Sequence, residues 1–356
     1  MTGQKRVYLK AYTSMNLGDD LFVRIICSRY PKTQFYLIAS PRFDRAFKEL
    51  PNLKVLKSVS LINSLCKKLR FKVSFFHKMQ KWVSSRCNAV VYIGGSIFTQ
   101  LGDWKLRLAD FEEFLSGNAN AYVIGCNFGP YLNKEYLDGC RQLFSRLTDI
   151  CFRDRYSYGL FSELSCARYA PDVIFSCHVD GFEKTAVKKQ VLISVLDLNR
   201  RERLRVYTSV YEQKLIDIIN ALTGQGYGVK LMAFCQPEGD TEAIRRIIGS
   251  GKLHTAHLVS SYIYQGDVDE ALTQISESSG VIATRFHAMI LGFLFQKPVF
   301  PITYTEKTRY VMQDMAFEGL SVDISKMETV EVTHYLSIKK YNIDQTSDII
   351  KQLPTD

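Results

Sequence analysis

Four segments of the chain combine residue types that hold anions, move protons or let a ligand approach the backbone. The richest is Ala283-Thr284-Arg285-Phe286-His287-Ala288-Met289-Ile290. A buried strand is expected to end in Arg285 and a helix to begin at about His287, which places a guanidinium, an imidazole and the positive end of a helix dipole at one point. A lone histidine is most often structural; here the neighbouring arginine and the strand-to-helix switch favour catalysis or anion binding. Lys307 follows the next strand, so a parallel sheet brings it beside Arg285 and His287, and Arg309 is a further cation nearby. The second segment is Phe152-Arg153-Asp154-Arg155-Tyr156-Ser157, followed by Ala170-Pro171-Asp172-Val173. Arg153 at a strand end suits a carboxylate or phosphate because its planar fork matches two oxygens; the alternative is a structural Arg153–Asp172 ion pair.

In the third segment, Tyr92-Ile93-Gly94-Gly95-Ser96, paired glycines after a buried strand let a ligand approach closely and leave N–H groups for an anion. The similar loop Gly125-Cys126-Asn127-Phe128-Gly129-Pro130 offers Asn127 to a sugar hydroxyl. The fourth is Asn16-Leu17-Gly18-Asp19-Asp20. Gly18 permits a tight turn, and Asp19 or Asp20 either caps the next helix or, facing a cleft, acts as general base toward a hydroxyl. The sequence has no H-E-x-x-H, Cys/His cluster or EF-hand loop, so no metal is expected. Its nine cysteines are odd in number and lack C-x-x-C spacing, which reads as buried thiols in a reducing compartment.

These segments need strands and helices to hold them. Arg6–Tyr12, Gln34–Ser40, Leu53–Val59, Ala89–Gly94, Ala121–Gly125 and Asp149–Arg153 read as strands. Asp19–Tyr30, Leu61–Trp82, Leu106–Leu115 and Lys134–Leu147 read as helices. The strands are nearly continuous apolar runs, the signature of a parallel sheet covered on both faces. After a polar stretch at Ser176–Lys189, read as a linker, the alternation restarts with strands Val191–Leu196, Tyr227–Phe234, Gly280–Thr284 and Pro298–Ile302. Between them lie helices Tyr207–Thr223, Thr241–Ile248, Asp267–Ser276 and His287–Phe295. The expected architecture is α/β: two doubly wound Rossmann-like domains at 1–178 and 190–335 with a cleft between them, then a helical tail at 336–356.

Length and composition agree. The chain has 356 residues, 46% hydrophobic and 23% charged, ordinary for a globular protein of about two domains. No apolar run approaches the ~20 residues of a spanning helix. The N-terminal residues lack an apolar signal-peptide core, so a cytosolic protein is expected. The net charge of +10 is concentrated: residues 50–102 hold nine lysines and arginines and no Asp or Glu.

The ordered set Asn16-x-Gly18-Asp19-Asp20, Gly94-Gly95, Gly125-x-x-x-Gly129-Pro130, Arg153-Asp154-x-x-Ser157, Pro171-Asp172, Arg285-x-His287-Ala288 and Tyr304-x-x-Lys307 resembles the polysaccharide pyruvyl transferase family over residues 5–325. Phe286, Ser96 and Thr305 depart from the family's commoner leucine, glycine and Asp. The resemblance implies a glycosyltransferase-B-like enzyme without a bound cofactor. Its co-substrate phosphoenolpyruvate supplies a pyruvyl group that bridges two sugar hydroxyls as a cyclic ketal, and phosphate leaves. Arg285, Lys307 and His287 would hold the phosphate and Arg153 the carboxylate. His287 would act as acid or neutralise the departing phosphate, and Asp19 or Asp20 would accept the hydroxyl proton. Asn16, Gly18, Gly94, Gly95, Ser96 and Asn127 fall on the acceptor side or its loops.

The implied acceptor is a polyprenyl-diphosphate-linked precursor of a capsule or exopolysaccharide at the inner face of the cytoplasmic membrane. There the basic stretch 50–102, with Phe71, Phe75, Phe76 and Trp82, would dock on anionic lipid. The plainer reading of that stretch is a solvated helix face, and nucleic acid is not expected, since no binding motif accompanies it. Two other functions remain open from the residues: a nucleotide-sugar glycosyltransferase, and a non-catalytic glycan- or anion-binding protein.

Overall fold

The computed structural model describes residues 4–42, 44–57, 75–118, 120–179, 181–182, 186–329 and 331. Residues 58–74, which hold most of the expected helix Leu61–Trp82, lie outside them, as does the expected tail at 336–356. The chain divides into two compact units. Of the described residues, one comprises those up to Thr13 with Asp19–Val173; the other comprises Ser14–Gly18 with those from Ile174 to Glu331.

In the first unit, β1 (Arg6–Ala11), β2 (Gln34–Ala39), β3 (Leu53–Lys57), β4 (Ala89–Ile93), β5 (Ala121–Cys126), β6 (Asp149–Phe152) and β7 (Ala167–Tyr169) form one sheet. The order is β3-β2-β1-β4-β5-β6-β7, and every pairing is parallel. The direction of winding reverses between β1 and β4, where Ala11 pairs with Ile93, so Gly94 and Gly95 leave the sheet at its switch point. The covering helices are α1 (Leu17–Arg29), α2 (Phe75–Ser84), α3 (Trp104–Ser116) and α4 (Lys134–Phe144), with a short α5 (Arg155–Gly159) after β6. Asp103 caps α3, Asn133 caps α4 and Asp154 caps α5, each accepting a backbone N–H two or three residues into its helix. The core is aromatic: Phe98, Phe111, Phe128, Phe144, Phe152 and Phe161 meet edge-to-face or stacked.

The second unit repeats the plan with β8 (Gln190–Ser194), β9 (Gly228–Ala233), β10 (Val259–Ile263), β11 (Gly280–Ala283), β12 (Val299–Thr303) and β13 (Val322–Asp323). Its order is β10-β9-β8-β11-β12-β13, again parallel, with the switch point at β8 and β11, where Ser194 pairs with Ala283. Helices α6 (Thr208–Gly224), α7 (Asp240–Ile248), α8 (Val268–Ser276), α9 (Phe286–Leu294) and α10 (Glu306–Asp314) alternate with the strands. Its core is aliphatic, built on Ile193, Leu215, Ile219, Leu231, Ile244 and Ile282.

Apart from the helix expected at Leu61–Trp82, of which the described residues show Phe75–Ser84, the expected strands and helices lie within a few residues of the observed ones. β7, β10, β13, α5 and α10 come from the structure alone. The eight cysteines among the described residues are free thiols, five of them buried. Among the described residues no helix is long and apolar enough to cross a membrane, and no group of His, Cys, Asp and Glu is placed to hold a metal ion.

Candidate functional site

Each unit carries a polar cluster at the C-terminal ends of its strands. In the first unit the cluster is centred on Arg153, which directly follows β6 and is only 2% exposed. Its Nη1 donates to Asp172 Oδ2 at 2.8 Å and its Nη2 to Asn127 Oδ1 at 2.8 Å. Ser96 Oγ reaches the same Asn127 oxygen at 3.4 Å, and Asn127 N–H donates to Gly95 O at 2.8 Å. Next to Arg153, Asp154 accepts from Ser157 N–H and Ser157 Oγ, and Ser157 Oγ accepts from Phe128 N–H. Gly95, Ser96, Asn127, Arg153 and Asp172 thus form one network, buried but for the exposed Ser96, with the Asp154–Ser157 cap beside it. Arg153 is in the ion pair that the sequence offered as the alternative to anion binding.

The role of Gly95 is visible in this packing. A Cβ there would lie 2.6 Å from both terminal nitrogens of Arg153, so the missing side chain is the space the guanidinium occupies. At Gly94 a Cβ would meet only Ile97 Cγ2, at 2.9 Å. Asp20 is buried and Asp19 half-buried, both in the first turn of α1, where their charge complements the helix dipole.

The second cluster surrounds Arg285. Ser194 Oγ accepts from Thr284 N–H at 2.9 Å and Arg285 N–H at 3.0 Å, and Tyr211 Oη lies 2.9 Å from Thr284 Oγ1. The backbone leaving β11 is therefore held by β8 and α6 before α9 starts. The Arg285 side chain turns to the loop after β9. Nε donates to Asp240 Oδ2 at 3.0 Å, Nη2 to Asp240 Oδ1, and Nη1 to Glu238 Oε2 at 2.5 Å. Asp240 Oδ2 also accepts from Phe234 N–H and Cys235 N–H. Glu238 Oε2 is shared with Arg201 Nη2 at 2.8 Å, and the Arg201 guanidinium lies 5.5 Å from the centre of the Tyr304 ring.

Charge follows from this geometry. Burial works against the Arg285 cation, but Asp240 and Glu238 more than restore it, and its pKa is raised. Burial also pushes the Glu238 carboxyl up, yet Arg285, Arg201 and Lys307 outweigh it and hold Glu238 below the ordinary glutamate value. Asp240 is pushed up by burial, with Arg285 opposing. Lys307, in the first turn of α10, is close enough for its charge to act on Glu238. Burial pushes the Cys235 thiol up to about 12, so it is protonated at neutral pH.

His287 is the second residue of α9, with Arg285 in the N-cap position. It packs directly on Gly18: a Cβ on Gly18 would lie 1.6 Å from the imidazole Nδ1. Asn16 bridges to Cys235 and its Oδ1 accepts Gly18 N–H, while Leu17 N–H donates to Phe234 O. Met15, just before, has φ 54°, a left-handed conformation uncommon for methionine. The segment carrying Asn16 and Gly18 is thus stitched to the loop after β9 and presses on His287.

The structure brings Asn16, Gly18, Arg285, His287 and Lys307 into the second unit, and Gly95, Ser96, Asn127 and Arg153 into one network in the first, while Gly94 bonds to Ile124 O instead. Asp19 and Asp20 belong to the first unit. The sequence reading missed Arg201, Glu238 and Asp240. The signal available was Pro237-Glu238-Gly239-Asp240 directly after an apolar strand: two carboxylates about a turn glycine at a strand end.

Two parallel, doubly wound α/β units in tandem define the class as GT-B-like. In agreement, the chain superposes on Staphylococcus aureus MnaA, solved with UDP, at TM-score 0.57 with 12% identity, covering 92% of this chain and 86% of that one. It superposes on Anabaena HepE, solved with UDP and glucose, at TM-score 0.56 with 10% identity, covering 98% and 93%. The chain belongs to the polysaccharide pyruvyl transferase family, whose model matches residues 16–306. A curated relative, the amylovoran biosynthesis protein AmsJ of Erwinia amylovora, is 22% identical over 351 residues, covering 86% of this chain and 81% of the relative.

Proposed function

We propose that the protein transfers the pyruvyl group of phosphoenolpyruvate onto two hydroxyls of a surface-polysaccharide precursor as a cyclic ketal. The observation that carries this reading is the grouping of Arg201, Arg285, Lys307 and His287 about strand ends of one unit, in a chain of this family. Phosphoenolpyruvate brings a phosphate and a carboxylate, and a site for it needs several cations and a proton source.

Protonation of the enol carbon makes C2 electrophilic, and a first sugar hydroxyl adds there, its proton passing to a base. A second hydroxyl then forms the other C–O bond as the C2–O bond to phosphate breaks, and its proton leaves on the phosphate. His287 is the assigned acid toward the enol or the departing phosphate, with Asp19 or Asp20 as base. In this reading the first unit, with Ser96 and Asn127, takes the sugar, and the second takes the donor. The amylovoran assignment of AmsJ supports a polysaccharide role.

A lipid-linked acceptor would place the work at the inner face of the cytoplasmic membrane. Lys54, Lys57, Lys78, Lys81 and Arg86 of the basic stretch are exposed, and the Arg86 guanidinium lies 4.3 Å from the centre of the exposed Trp82 ring. Lys67, Lys68, Arg70 and Phe71 lie outside the described residues.

The test is incubation with phosphoenolpyruvate and a panel of acceptors. The expected result is one pyruvyl unit added by mass spectrometry, phosphate released and no nucleotide consumed. His287→Ala and Lys307→Ala are expected to remove turnover while the fold persists. Turnover of a nucleotide sugar instead would overturn the reading.

A further inference from the structure

The carboxylates around Arg285 differ in one respect that bears on ligand entry. Asp240 is fully buried, bonded twice by Arg285 and twice by backbone N–H groups. Glu238 has 27% of its side chain exposed, and among the described residues its carboxylate bonds only to guanidiniums, those of Arg285 and Arg201. It ends a one-turn segment, Gln236–Glu238, that is followed by Gly239 at φ 93° and starts at a proline-bearing corner. Asp240 anchors the cluster; Glu238 reaches into it from a solvent-facing turn.

We propose that Glu238 is an internal anion that occupies the cations of Arg201 and Arg285 until a phosphate-bearing ligand displaces it, so that Arg201 becomes a ligand of the incoming anion. This deepens, and rests on, the reading of the second unit as the phosphoenolpyruvate side. Arg285 has five N–H donors, of which Asp240 takes two and Glu238 one. With Glu238 in place, an arriving oxyanion meets a negative charge already seated on the donors it needs. Once Glu238 leaves, Arg285 keeps both bonds to Asp240, and its Nη1 turns entirely to the ligand. Arg201, 36% exposed and stacked over Tyr304, gains a donor pointing the same way. With Arg201, Arg285 and Lys307 set against Asp240 alone, the cluster carries about two net positive charges and suits a dianion, whereas Glu238 in place halves that charge. Affinity for the anion is thereby reduced by the fraction of time Glu238 is seated.

The experiment is calorimetric titration of the full chain with inorganic phosphate and then with phosphoenolpyruvate. Glu238→Gln, an isosteric change, removes the competing charge and is expected to bind phosphate about tenfold more tightly than the wild type. Adding Arg201→Ala is expected to abolish the gain. Glu238→Ala serves as a second variant, with thermal unfolding to confirm a folded chain. Equal or weaker phosphate binding by both Glu238 variants overturns the exchange, and if the wild type still binds phosphoenolpyruvate, the donor reading survives that failure. Tighter phosphate binding in chains that never bind phosphoenolpyruvate upholds the exchange and removes the donor reading.

Discussion

At the scale of single residues, two glycines act by what they lack. Gly95 leaves room for the Arg153 guanidinium and Gly18 for the His287 imidazole. From the sequence both read as sites where a ligand or a turn needs a bare backbone; in the fold the near neighbour is a side chain from another motif. For Gly18 this has a sharp consequence. It lies in the first turn of α1 without a left-handed φ, so Ala costs nothing in backbone strain and is the better helix former. Its methyl, however, would overlap Nδ1 at 1.6 Å and must push the imidazole aside. Displacing a reacting group by about 1 Å costs on the order of 100-fold in rate. Gly18→Ala is therefore expected to lower turnover with phosphoenolpyruvate by roughly that factor, in a chain that still folds but unfolds at a somewhat lower thermal midpoint, since overpacking costs about 1–3 kcal/mol. Unchanged turnover would show that His287 need not sit where Gly18 lets it.

At the scale of elements, the site rests on strand ends meeting at a switch point. Ser194, the last residue of β8, takes both N–H groups that leave β11, those of Thr284 and Arg285, and all three residues are buried. Ser194→Ala leaves two buried donors without an acceptor, each costing about 1–3 kcal/mol. The variant is expected to lose at least roughly 2 kcal/mol in urea unfolding and to weaken phosphoenolpyruvate binding, because Arg285 enters its helix from this splice. A stability within error of the wild type would rule out that anchoring role. The strands that build the splice were legible because parallel, doubly covered strands are apolar from end to end, as in Val281–Ala283. β10 was not: at the sheet edge its Val-Ser-Ser-Tyr-Ile is half solvated and carries no such run. α10 begins Glu-Lys-Thr-Arg and looks like loop. The partners of Arg285 were hidden for a different reason. Asp240 lies 45 residues away, and carboxylates flanking a turn glycine read as solvated until the fold buries them. A cation at a strand end is visible in sequence; the anion that neutralises it is set by which strands are neighbours.

At the scale of the molecule, each unit carries a buried arginine cluster and a hydrophobic cluster of its own, and the aromatic cluster of the first unit shares no residue with the aliphatic cluster of the second. Arg153 is bonded to Asn127 and Asp172, all on elements of the first unit; Arg285 is bonded to Glu238 and Asp240, all on elements of the second. Removing either guanidinium strands a buried carboxylate, a loss of about 3–5 kcal/mol. Because the broken contacts lie within one unit, the loosening should follow the unit. In hydrogen exchange, Arg153→Ala is expected to speed amides of β5 and β6 while β8 and β11 keep their wild-type protection. Arg285→Ala is expected to do the reverse. Both variants would lose pyruvyl transfer, so activity alone cannot tell a lost ligand from a loosened unit. Arg285→Lys separates them. A lysine keeps the charge against Asp240 but cannot make the paired bonds, so protection in β8 and β11 should return further than turnover does. If each arginine variant instead loosened both sheets equally, the chain would open as one cooperative body, and the two clusters could not be treated as separate supports for donor and acceptor chemistry.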